Sequence, residues 1–94
     1  MTTSELETLT KAAYAALPHA IRDVLKSHGV QVVCDDANPD NPVGIRGLWH
    51  PAFQTIFLYA ACLHSEAEVA ATLRHEVAHA LGFKHGAHMR EVLR

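Results

Sequence analysis

Histidine is the unusual residue of this chain, with eight in 94 residues and four of them between His75 and His88. The first of those four opens the run His75-Glu-Val-Ala-His79-Ala-Leu-Gly-Phe-Lys-His85, which has the form HExxHxxGxxH. Two histidines four apart on a helix are separated by about 6 Å along the axis and about 40° around it, so their imidazoles can converge on one ion. Glu76 follows about 100° round, where it borders that ion without entering its coordination shell and can take a proton from a water there. His75 and His79 are therefore candidate metal ligands, and Glu76 a candidate general base.

A third ligand at position 85 demands a bend. On a continuing helix, His85 would stand about 9 Å beyond His79 and about 120° off its face. Gly82 can take a positive φ without penalty, ending the helix and returning Phe83-Lys84-His85 toward the metal. Three neutral imidazoles and one open position suit a catalytic zinc, whereas a structural zinc is usually closed by four protein ligands, many of them thiolates. Imidazole also accepts copper, nickel and cobalt. A Cys62-x-His64 pair has the wrong spacing to compete, and Cys34 lies in another segment.

The helix that carries the motif supports the same reading. Val69, Leu73, Val77 and Ala80 make its apolar stripe, and His75 and His79 fall outside it, on a face whose small neighbours Ala71 and Ala78 leave room for a cleft. A capping box, Ser65-Glu-Ala-Glu68, opens this helix, and Gly82 closes it after Leu81.

The remaining elements must position that helix. Ser4-Glu-Leu-Glu7 reads as a capping box for an amphipathic helix over about 5–17. Pro18 interrupts it, and Ile21, Val24 and Leu25 continue in a second segment that stops at Gly29. Val30–Val33 reads as a strand, Cys34–Pro42 as a loop, and Gly44–Trp49 as a short strand weakened by two glycines. Gln54–Tyr59 is the most strand-like segment, with Thr55, Phe57 and Tyr59 on one face and Ile56 and Leu58 on the other. Trp49 and Phe53 read as core residues or cleft walls. Ala87–Arg94 is a candidate last short helix. The sum is an α+β fold with a small mixed or antiparallel sheet, in one domain over 1–94.

Composition excludes several classes. A net charge of -2 and a pI near 6.4 give no overall electrostatic footprint for nucleic acid, whose binding is not expected. No apolar stretch is long enough to span a membrane, and the N-terminus lacks the pattern of a secretory signal, so a cytoplasmic location is expected, with Cys34 and Cys62 reduced. A domain this small has modest stability, which a bound metal would raise.

The extended motif resembles that of the zincin clan of zinc metallopeptidases, in its metzincin form. The N-terminal helical region, the short strand, the proline-containing loop, Gly44–Trp49, Pro51–Tyr59 and the HExxH helix together look like the bacterial minimal zincins. Val30 to His85 carry this resemblance, with residues 75–85 its specific part. It implies a three- to four-stranded sheet with N-terminal helices and a C-terminal active-site helix, His75, His79 and His85 as zinc ligands, and Glu76 as catalytic base. The third position is often acidic in such small relatives. It also implies an edge strand beside the active-site helix that pairs with an extended substrate, for which Gln54–Tyr59 is the candidate. Met89, four residues beyond His85, is not read as a Met-turn. The expected activity is hydrolysis of a peptide or protein substrate, with Tyr59, His50, His64, His88 and Arg74 as candidates for a second oxyanion donor. The alternative is a zinc-stabilised binding or regulatory domain without turnover.

Overall fold

A computed structural model of the chain describes residues 1–40 and 44–82. The segments 83–94 and 41–43 lie outside the described residues, and with them the expected ligand His85, His88, Met89 and the expected helix over Ala87–Arg94. The described elements run α1 (Thr3–Ala15), α2 (His19–Ser27), β1 (Gln31–Asp35), β2 (Gly47–His50), β3 (Thr55–Tyr59) and α3 (Glu66–Ala80), with single 3-10 turns at Pro51–Phe53 and Ala60–Cys62. This is the expected α+β class, and the sheet is mixed and three-stranded.

α1 starts two residues earlier than the sequence suggested. Thr2, not Ser4, is the cap: its hydroxyl accepts from the Glu5 backbone N–H, and the Glu5 carboxylate accepts from the Thr2 N–H, each at 3.1 Å. Overlapping boxes compete here, and the Thr2 box places Met1 and Leu6 at the two positions of a hydrophobic staple. Leu6 is fully buried and Met1 packs on the same core, a gain that the Ser4 box, with Thr3 and Thr8 at those positions, would not have. α1 ends at Ala15, two residues short of the expected bound, and Pro18 stands as the residue before α2. Gly29 follows α2 with φ +67, as a helix stop requires.

β3 is the centre of the sheet, with strand order β1-β3-β2. It pairs in parallel with β1, Val33 opposite Phe57, and antiparallel with β2, Trp49 opposite Ile56. The expectation that Gln54–Tyr59 forms a substrate-pairing edge is therefore overturned, because both its sides are occupied. Its burial explains the assignment: Thr55, Ile56, Leu58 and Tyr59 are all buried, as suits a strand flanked on both sides. β1 also extends through Cys34 and Asp35, which the sequence assigned to a loop.

α1 and α3 pack on one another and on one face of the sheet. Leu6 from α1, Val69, Leu73 and Val77 from α3, and Ile56 and Leu58 from β3 form the core, with Trp49 packed against it. On the opposite face Tyr59 is buried, its hydroxyl accepting from Asn38 Nδ2 at 3.2 Å. Phe53 is 69% exposed and stacks on His50 with ring centroids 4.4 Å apart, so it is neither core nor cleft wall.

Candidate metal centre

α3 opens at the expected cap, Ser65, whose hydroxyl accepts from the Glu68 N–H at 3.1 Å, but the reciprocal half of the expected capping box is replaced. The Glu68 carboxylate accepts from the His64 N–H, one residue before the cap, at 2.9 Å. Glu66 and Glu68 lie in the first turn, where their negative charge suits the N-terminal end of the helix dipole. Val69, Leu73 and Val77 point into the core, as the stripe requires, and His75 and His79 lie half-buried outside it. Ala78 is fully buried, so only Ala71 of the two small residues borders open space. At the far end the Gly82 N–H donates to the His79 carbonyl at 2.9 Å, and Gly82 has φ +92. The chain leaves the helix at the residue on which the third-ligand argument depends.

The Nε2 atoms of His75 and His79 are 3.1 Å apart, and their rings meet edge to face, 80° between planes. Two nitrogens at that separation can both stand about 2.0–2.1 Å from one point, the usual zinc–imidazole distance, subtending about 100° there, near the tetrahedral angle. The spacing of the pair is therefore compatible with a single zinc ion. Without metal, the same spacing suits a hydrogen bond in which one ring carries its proton on Nε2 and the other does not. Among the described residues no third His, Cys, Asp or Glu completes a metal-binding group with them.

Beside His75 is an open cleft of about 450 Å³, walled on one side by Ala71, Thr72, His75 and Glu76 of α3 and on the other by Gly44–Gly47. Glu76 is 7% exposed, so the carboxylate expected to serve as base is buried where it also borders the cleft beside His75. Gly47 sets the width between the walls. A β-carbon built there would lie 2.8 Å from Thr72 Cγ2 and 3.1 Å from both Leu58 Cδ2 and the Phe57 carbonyl oxygen. The glycines that weaken Gly44–Trp49 as a strand thus include the one that lets β2 approach α3.

β2 is the strand that lies at a sheet edge beside α3. The Tyr59 N–H donates to the Arg46 carbonyl at 2.9 Å, which fixes the alternation of the ladder. Leu48 and His50 turn their backbone groups toward β3, whereas Gly47 and Trp49 turn theirs to the side away from β3, where no described strand pairs. Gly47 therefore offers an N–H and a C=O to an extended chain lying in the cleft.

Among the described residues, the candidate oxyanion donors do not gather here. Tyr59 is buried on the opposite sheet face and bonded to Asn38. His50 ends β2 at its far end, with Nδ1 buried and without a hydrogen-bond partner among the described residues. His64 precedes α3, and Arg74 is exposed outside the cleft lining. Among the described residues the cation that does line the cleft is Arg46, which the sequence reading passed over because the flanking glycines were read only as weaknesses of a strand. Comparison with protein-family models, with curated proteins and with solved structures gives no significant match.

Proposed function

We propose that this protein is a zinc-dependent peptidase of zincin type that works in the cytoplasm. The observation that carries the reading is the 3.1 Å approach of His75 Nε2 and His79 Nε2 next to the buried Glu76, on the wall of a cleft bounded by a strand edge. His75 and His79, with His85 from beyond the Gly82 bend, would hold the zinc. A zinc ion bound by such a set supplies a Lewis acid that polarises a carbonyl and makes water acidic near neutral pH. Glu76 takes the proton from the attacking water on its carboxylate and gives it to the departing amine. Gly47 pairs its free backbone groups with the substrate, holding the scissile bond over α3. Arg46 is our assignment for the second donor to the oxygen that gains negative charge. The thiols of Cys34 and Cys62 accord with a reducing compartment.

A second reading keeps the zinc and omits turnover: a binding or regulatory domain that the metal stabilises. The smallness of the core favours it, since a metal would add substantially to so small a domain. Glu76 weighs against it, because a structural site has no use for a buried carboxylate after its first histidine. The deciding experiment is metal analysis of protein purified without chelator, followed by a peptide-library and casein screen with and without chelator. Close to one zinc per chain and chelator-sensitive cleavage are expected. Protein that holds no zinc and takes none up would end both readings.

A further inference from the structure

The other edge of the sheet carries a second groove, remote from the metal centre in strand order. It has a volume of about 670 Å³ and lies between α1, α2 and β1. Tyr14, Val30 and Val32 supply an apolar floor, and Lys11, Arg22 and Lys26 stand around it against the single acid Glu7. This is a concentration of positive charge on a chain whose net charge is -2.

Two further observations point to what such a groove would take. First, β1 is an edge strand in the described sheet. The Gln31 N–H donates to the Gln54 carbonyl at 3.0 Å, so Gln31 and Val33 face β3, and Val32 and Cys34 turn their backbone N–H and C=O groups outward along the groove. Second, Arg22 Nε is buried without a hydrogen-bond partner among the described residues. A buried guanidinium N–H is costly to leave unpaired, and a carboxylate is its best acceptor. An open strand edge selects an extended backbone, and the surrounding cations select its side chains.

We propose that this groove binds an acidic, extended peptide segment, which adds to the β1 edge through Val32 and Cys34 and sets its carboxylates against Lys11, Arg22 and Lys26. The chain's own residues 83–94 have the wrong sign for this, with Lys84, Arg90 and Arg94 against Glu91. The inference is independent of the metal reading, because none of His75, His79 and Glu76 lines the groove.

The test is fluorescence anisotropy with a short labelled peptide alternating Glu and Val, on the full chain with chelator present throughout. Saturable binding is expected, weakening about tenfold or more as salt rises through the screening range. The double variant Lys11→Glu, Lys26→Glu should lose a similar factor or more while keeping the wild-type circular dichroism. Amide exchange on the unsubstituted protein should slow at Val32 and Cys34 when the acidic peptide is added. A peptide of the same pattern with Lys in place of Glu should not bind. Absence of binding by the acidic peptide, equal binding of the basic one, protection along Gly47 instead of Val32 and Cys34, or self-association of the protein through β1 would each overturn the proposal.

Discussion

Thr72 occupies the space that any side chain at Gly47 would need: a β-carbon there would stand 2.8 Å from Thr72 Cγ2. The contact is between a helix and a strand that form the two walls of one cleft, so this glycine controls both packing and access. Gly47→Ala should destabilise the protein by about 1–3 kcal/mol, the usual cost of overpacking, measured as a lower urea midpoint at unchanged slope. Thr72→Ser in the same chain removes the methyl and should return part of that loss. Only part is expected, because Leu58 Cδ2 and the Phe57 carbonyl oxygen remain at 3.1 Å. If the second substitution recovers nothing, the approach of β2 to α3 is not what requires glycine.

Glu76 and Arg46 line the same cleft but are assigned different tasks, and substitution separates them. Glu76→Gln preserves size and removes the base, so zinc content should stay unchanged while hydrolysis falls by about 10²-fold or more. Unchanged turnover would exclude Glu76 as base. Arg46→Ala removes the assigned oxyanion donor and should lower kcat by about 10²-fold with a small change in KM, since the interaction strengthens as charge develops. A rise in KM alone would make Arg46 a substrate-binding residue.

What the sequence revealed was mainly local. Ser65, Gly29 and Gly82 act within a few residues of themselves, and a cap or a positive φ needs no distant partner, so the bounds of α3 and the stops after α2 and α3 were readable. The stripe Val69, Leu73 and Val77 was readable because its period is that of the helix. The position of β3 between β1 and β2 was not, since strand order depends on partners outside the strand, and an alternating pattern such as Thr55–Tyr59 does not tell a centre from an edge. Arg46 escaped notice for the same reason: it reaches the site through the pairing of β2 with β3, not through the motif. At α1, two overlapping capping boxes differed only in which apolar pair they joined, and Leu6 decided in favour of Thr2.

Alkaline pH should destabilise the fold through two acids, the buried Tyr59 and the half-buried Cys34. Burial pushes the Tyr59 phenol above its ordinary value; the Asn38 hydrogen bond restrains this, and Asp35 and Asp40 add to it. Burial likewise raises the Cys34 thiol, with Thr10 opposing and Glu7 reinforcing. Each group ionises more readily when the chain is unfolded, so the unfolded state binds fewer protons once pH exceeds the ordinary values. Stability should therefore be insensitive to both groups near neutrality and decline as pH rises from about 9 for the thiol and about 10 for the phenol through their folded values. Urea denaturation across this range should show a shallower alkaline decline for Tyr59→Phe and for Cys34→Ser than for the parent. Identical slopes in all three proteins would place the alkaline sensitivity elsewhere.

His79 lies one helical turn after His75 and holds the only other imidazole nitrogen placed beside it among the described residues. If both bind zinc only in the folded protein, metal and folding are linked, and zinc at about a hundred times its dissociation constant contributes about 2.7 kcal/mol. In a domain of this length that is about 10 °C or more in Tm. The parent should lose this increment on addition of chelator and regain it with zinc. His79→Ala should melt at one temperature under both conditions, close to that of the chelated parent, because the substituted side chain is half-buried and leaves no large core cavity. A zinc-dependent rise in Tm that survives His79→Ala would show that the stabilising metal binds elsewhere, even if His75 and His79 remain neighbours.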